Sequence, residues 1–175
     1  MADALIPPYS RSGRILDIGC GWTPLFLMET PFAEKVGLDR DIDVGHSMAG
    51  LAFVVSDIEH TKQLPFDAES FDVVTLLAVF EHFSSDKLVP ILKEVLRVLR
   101  SPGRLILTTP CPWTDPLLRL MACFRLVSPE GMNEHQGAYD RQAIEGFLDV
   151  AGFDRCKIRF GYFECFLNSW LCVDK

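Results

Sequence analysis

The chain has 175 residues, 49% of them hydrophobic, and a formal net charge of −7. That length accommodates one α/β domain with a real core, and the composition excludes wholesale disorder. The acidic balance supplies no field to attract a phosphate backbone. Arg97, Arg100 and Arg104 lie close together, but cations near a helix end complement its dipole, so nucleic acid is not an expected partner.

Residues 1–12 read as a short N-terminal tail, and residues 13–175 as a single domain with a lid-like insertion near 110–135. Arg14-Ile15-Leu16-Asp17-Ile18 is a first strand ending at a glycine turn. Residues 24–30 then read as a helix start, with Thr23 as N-cap and Pro24 at the first helical position. Lys35-Val36-Gly37-Leu38-Asp39 is a second strand and Phe53-Val54-Val55-Ser56-Asp57 a third. Phe71-Asp72-Val73-Val74-Thr75-Leu76-Leu77 is a fourth, continuously apolar as a strand covered on both faces should be. Over residues 86–99, Leu88, Ile91, Leu92, Val95, Val98 and Leu99 share one helical face, and Ser101-Pro102-Gly103 stops the helix. Arg104-Leu105-Ile106-Leu107-Thr108-Thr109 is a fifth strand. Residues 140–151 form another amphipathic helix, ended by Gly152, with Asp140 as N-cap. Two closing strands, near 156–162 and 169–173, flank a turn at 164–168. Alternating strands and helices predict a doubly wound, Rossmann-like, mostly parallel α/β sheet. The closing hairpin is a departure from the simple dinucleotide-binding pattern.

The longest apolar run, residues 73–80, falls well short of the roughly 20 residues of a membrane-spanning helix, so no integral membrane segment is expected. Asp3 stands where a secretory leader carries positive charge. Cys20, Cys111, Cys123, Cys156, Cys165 and Cys172 are dispersed without C-x-x-C spacing, which suggests neither a disulfide framework nor a bound metal. A cytoplasmic chain with free thiols is the expectation.

A strand feeding into Gly19-Cys20-Gly21 lets the backbone turn sharply and approach a ligand with no Cβ in the way. The third glycine of nicotinamide-binding folds is replaced here by Trp22-Thr23-Pro24, which disfavours a pyrophosphate cradle. Asp39, ending the second strand, is placed to accept from a ribose diol, or to serve only as a turn residue. Asp57 ends the third strand.

These elements, with Leu64-Pro65-Phe66, Glu81-His82, Pro102-Gly103-Arg104-Leu105 and Ala151-Gly152-Phe153, appear in an order that strongly resembles the class I S-adenosylmethionine methyltransferases, type 11 family. The resemblance runs from about Gly13 to Lys175. It implies an antiparallel last strand inserted between the fifth and sixth, S-adenosylmethionine as cofactor and a small-molecule acceptor. It also implies that the backbone around Gly19, Cys20 and Gly21 faces the methionine portion and that Asp39 holds the ribose. Asp57 and the Ile58 N–H would meet the adenine, the Leu77 carbonyl the α-amino group, and Asp17 would support the loop and could reach the cofactor amine through water. Two departures stand out. There is little room for a helix between Asp39 and Phe53, and few residues precede the first strand. An open cleft, a roof supplied by a second copy in a homodimer, or a longer native chain would each account for the latter.

His82 follows the fourth strand, where it could act as a general base or merely orient the loop. Cys111 and Trp113 follow the fifth strand, and His135 and Tyr139 precede the last helix, all candidates for acceptor contact with packing or capping as their alternatives. The apolar stretch 115–127 reads as a lid or substrate wall, or as a helix packed on the sheet edge. A nicotinamide-dependent oxidoreductase and a non-catalytic binding module remain as competing readings.

Overall fold

A computed structural model describes residues 1–42, 50–61, 63–114 and 139–175. His135, the apolar stretch 115–127 and most of the insertion near 110–135 lie outside the described residues.

Seven strands form one sheet: β1 (Arg14–Ile18), β2 (Glu34–Asp39), β3 (Leu51–Val55), β4 (Phe71–Leu77), β5 (Leu99–Pro110), β6 (Ile158–Phe163) and β7 (Asn168–Asp174). Their order is β3-β2-β1-β4-β5-β7-β6. The first five pair in parallel, whereas β7 runs antiparallel between β5 and β6. This is the class I methyltransferase arrangement expected from the sequence. The chain leaves β1 in one direction for β2 and β3, then returns past it to β4 and β5. The C-terminal ends of β1 and β4 therefore flank the point where strand order reverses, the place where open α/β sheets bind ligands.

Strand alternation sends successive side chains to opposite faces, and here each face is covered. One face, carrying Leu16, Ile18, Val74, Leu76, Leu105 and Leu107, packs against α2 (Ser85–Val98) and α3 (Arg141–Ala151). Leu88, Ile91, Leu92, Val95 and Val98 all turn inward from α2, as the helical period requires. Asp140 caps α3 by accepting from the Ala143 N–H at 2.8 Å, and Gly152 ends it in the left-handed region. The other face, with Ile15, Val73, Ile106 and Cys172, is covered by Leu27 of α1 (Leu25–Glu29) and by Ala2 and Ile6.

Several details differ from the sequence reading. β3 spans Leu51–Val55 rather than 53–57, so Asp57 stands two residues beyond the strand instead of ending it. The first twelve residues do not trail: they form two 3-10 turns, Ala2–Leu5 and Pro8–Ser12, tied down by the Arg11–Asp3 ion pair at 2.9 Å and by Arg104 donating to the Leu5 carbonyl. Thr23 does not cap α1 through its side chain. Pro24 occupies the cap position and the Leu25 N–H bonds the Thr23 carbonyl at 2.8 Å. Finally β5 begins at Leu99, because Leu99 pairs with Phe71 before a register shift carries the ladder on to Arg104 opposite Val73.

Candidate functional site

At the strand-order reversal lies a cleft of about 550 Å³, lined by the glycine turn, the ends of β2 and β3, and the segment after β4. Its shape begins with backbone constraint. Gly19 and Gly21 have φ of +75° and +69°, a region that costs other residues roughly 1–2 kcal/mol. A Cβ on Gly19 would also stand 2.5 Å from Val79 Cγ2, so the turn and the post-β4 segment can approach only with glycine there. The Gly19 N–H bonds the Leu38 carbonyl at 2.8 Å, stitching the turn to β2.

Carboxylates then fix the cleft's loops by accepting from backbone N–H groups. Asp39 Oδ2 accepts from Gly21 at 2.8 Å and Oδ1 from Asp41 at 3.0 Å. Asp57 Oδ1 accepts from Glu59 at 3.0 Å, and Asp57 Oδ2 lies 2.9 Å from His60 Nδ1. That imidazole, with the Glu59 and His60 amides, holds the Asp57 carboxyl below its ordinary range against partial burial. Glu59 Oε1 accepts from Ser84 at 3.1 Å, joining the loop after β3 to the start of α2. Each carboxylate oxygen retains lone-pair capacity toward the cleft. With Asp39, Asp41, Asp57 and Glu59 facing Arg40 and His82, the lining carries more negative than positive groups.

Beneath the turn, Asp17 is 3% exposed and accepts from Thr75 Oγ1 at 2.6 Å. Burial pushes its carboxyl up to about 7, opposed by that hydrogen bond and assisted by the Asp39 charge. Burial likewise raises the Cys20 thiol to about 12, with Asp17 and Asp39 adding to the effect, so Cys20 is a protonated packing group rather than a nucleophile.

The remaining expected residues divide. Ile58 and His82 line the cleft, and the His82 N–H bonds the Val79 carbonyl at 3.0 Å in the 3-10 turn Phe80–His82. Leu77 lines a second cavity of about 400 Å³ on the other face, with Phe26, Thr108 and Phe163, while its neighbours Ala78 and Val79 line the cleft. Cys111 is buried, with its N–H on the Leu167 carbonyl, and Trp113 is half exposed; neither borders the cleft. Tyr139 acts from behind: its hydroxyl donates to the Phe83 carbonyl at 3.0 Å and its ring meets Phe80 and Phe147 edge-on. The sequence reading did not single out Trp22, Arg40, Asp41, Ser56, Glu59 and Phe83, all of which line the cleft. Their signal was proximity in sequence to Gly21, Asp39, Asp57 and His82. Among the described residues no cluster of His, Cys, Asp and Glu could hold a metal ion, and no helix is long and apolar enough to cross a membrane.

The methyltransferase-domain family matches residues 16–107, more than half of the chain. The chain is 32% identical over 112 residues to an uncharacterized methyltransferase, YcgJ, of Bacillus subtilis, covering 60% of this chain and 44% of that protein. It is 39% identical over 84 residues to the mitochondrial 2-methoxy-6-polyprenyl-1,4-benzoquinol methylase of Mus musculus, covering 48% of this chain and 24% of that one. The matches therefore span less than half the length of these relatives. Among solved structures, a SAM-dependent methyltransferase from Archaeoglobus fulgidus superimposes with a TM-score of 0.72 at 19% identity, over 96% of this chain and 89% of that one.

Proposed function

The chain belongs to the methyltransferase-domain family, and on that premise we propose that it moves a methyl group from S-adenosylmethionine to a small-molecule acceptor in the cleft described above. The observation that carries this reading is a pair of carboxylates, Asp39 at the end of β2 and Asp57 just beyond β3, lining one cleft with a glycine turn whose amide Asp39 itself positions. A ribose diol suits a carboxylate with lone pairs to spare, and an adenine amino group suits a second one farther along the sheet. The acidic lining also favours a ligand of positive charge over a pyrophosphate.

When bound, the donor supplies a methyl group on a positively charged sulfur. In-line transfer forms the bond from methyl carbon to acceptor atom as the carbon–sulfur bond breaks, and the departing electron pair stays on sulfur. The protein's task is alignment. Gly19 and Gly21 let the backbone come close, Asp39 and Asp57 fix the adenosine end, and Ile58 and Phe83 exclude water. His82 sits beside the post-β4 segment, where it can take the proton of an acceptor that must lose one.

The test is calorimetric titration with S-adenosylhomocysteine. Binding to the wild type is expected, and Asp39→Ala should weaken it at least tenfold, because charge-assisted bonds are worth about 1.5–3 kcal/mol each. A folded Asp39→Ala variant with undiminished affinity would contradict the assignment.

A further inference from the structure

The end of β4 faces two spaces. Ala78 and Val79 line the cleft, whereas Leu77 lines the second cavity, of about 400 Å³. Consecutive Cα atoms lie about 3.8 Å apart, so at this point a single residue of backbone divides the two. The cavity is of a size that small-molecule sites commonly have. Part of it is closed by the turn Ala2–Leu5, which the Arg11–Asp3 ion pair and the Arg104 bond to the Leu5 carbonyl hold in place. Phe26, Phe163 and Leu77 give it apolar walls against which a flat ring can pack.

Two polar groups in that lining have capacity to spare. The Thr108 hydroxyl, on a residue only 8% exposed, accepts from the Ala78 N–H at 3.0 Å, and no described residue accepts its own proton. With the Thr108 carbonyl at 3.1 Å from the same N–H, it holds Ala78 at a φ of +52°, where the chain turns from the cavity to the cleft. Glu29, at the end of α1, is exposed and has no ion-pair partner among the described residues. The other lining carboxylate, Asp3, is met by Arg11 at 2.9 Å and by the charge of the Met1 amino group.

We propose that this cavity is the acceptor's pocket and that the acceptor is a phenol carrying an ammonium group. Its ring lies against Phe26 and Phe163, its ammonium meets Glu29, and its oxygen meets Thr108, reaching the donor past the end of β4. This deepens the methyl-transfer reading above and rests on it. The spare Thr108 proton sets the orientation, because an oxygen offers it a lone pair and an ammonium does not. The methyl carbon bonds to the phenolic oxygen as its bond to sulfur breaks, and the electron pair stays on sulfur. The phenol's proton passes to His82 in the cleft and on to solvent.

The experiment is titration of the whole chain, saturated with S-adenosylhomocysteine, by calorimetry and ligand-observed NMR. Its probes are tyramine, 4-ethylphenol, which lacks the ammonium, and phenethylamine, which lacks the hydroxyl. Tyramine should bind about three- to fivefold more tightly than 4-ethylphenol, the scale of one partly exposed ion pair, and added salt should shrink that margin. Glu29→Gln, at an exposed position, should abolish the margin while 4-ethylphenol and S-adenosylhomocysteine bind as before. Thr108→Val should lower tyramine to the level of phenethylamine, and Thr108→Ser should restore it. With S-adenosylmethionine instead, fragmentation mass spectrometry should find the new methyl group of tyramine on oxygen. No binding of tyramine, a margin that survives Glu29→Gln, or methylation on nitrogen would overturn the proposal, while bound S-adenosylhomocysteine keeps the donor reading. Absence of S-adenosylhomocysteine binding would overturn that reading and the proposal with it.

Discussion

Carboxylates do different work in the two halves of the sheet. Around β1, β2 and β3, Asp39, Asp57 and Glu59 accept from backbone N–H groups of Gly21, Glu59 and Ser84. Around β5, β7 and α3, Asp140 also accepts from a backbone N–H, that of Ala143, but Asp174 and Glu145 meet guanidinium groups, Arg104 and Arg141, each at 2.6 Å. An amide brings no formal charge, so Asp39 and Glu59 fix loops while keeping their charge at the cleft, where Asp41 alone among its lining carboxylates pairs with a guanidinium, that of Arg40 at 3.0 Å. A guanidinium cancels the charge it binds, so the Asp174 and Glu145 pairs only fasten elements together. On the proposed reading, the half with the amide-bound carboxylates holds the donor and the other half supports it.

Substitutions should keep that division. The largest effect belongs to the support: Leu92→Ala, on the inward face of α2 and fully buried, should cost about 2–5 kcal/mol of stability, with donor affinity unchanged by calorimetry in the folded fraction. Loss of affinity in proportion would mean the halves are not separable.

Asp17 crosses the division, and its sign follows from linkage. Its folded-state value is raised from 3.8 to about 7, so between those values the folded chain holds a proton that the unfolded chain has lost. Stability contributed by the neutral carboxyl is thus full below about pH 4 and is lost as pH rises toward 7. Denaturant melts of the empty protein should show Asp17→Asn gaining on wild type from pH 4 to pH 8, by on the order of 4 kcal/mol at most. A constant gap would sink the assignment.

Arg104→Ala removes the Asp174 pair and the bond to the Leu5 carbonyl, for a cost of about 1–2 kcal/mol; melting should register it and ligand titration should not. The smallest effect is the most discriminating. Glu59→Gln keeps an acceptor for the Ser84 N–H but deletes a cleft charge, and should weaken donor binding about two- to fivefold, a term below about 1 kcal/mol that fades with added salt. Glu145→Gln, deleting a charge from α3, should leave binding alone. Equal effects from both would show that only net charge matters.

The sheet was readable in the sequence because its strands are short apolar runs with turn residues between them. The α2 period likewise predicted that Leu88, Ile91, Leu92, Val95 and Val98 turn inward, and they do, while Leu99, read as the helix's last inward residue, begins β5 instead. The first twelve residues escaped because 3-10 turns interrupted by Pro7 and Pro8 have no period to detect, although Ala2 and Ile6 are buried. In the cleft, Gly19, Gly21 and Asp39 were legible from position at strand ends, and Asp57 from its place near the end of β3, two residues beyond it. Tyr139 and Cys111 were not, because sequence gives a residue's place along the chain and not the direction of its side chain. Tyr139 reaches the cleft wall only through the Phe83 carbonyl, and Cys111 turns into the core. Glu59 was missed for a related reason: its partner Ser84 lies 25 residues away, on another element.

The acidic cleft at the ends of β1 to β4 is the proposed donor site. A crystal structure of the chain with S-adenosylhomocysteine tests it most directly. Ribose hydroxyls are expected within hydrogen-bond distance of Asp39, and the adenine against Asp57 and Ile58. An adenosine moiety lodged in the second cavity beside Phe26 and Phe163, with Asp39 and Asp57 untouched, would contradict it.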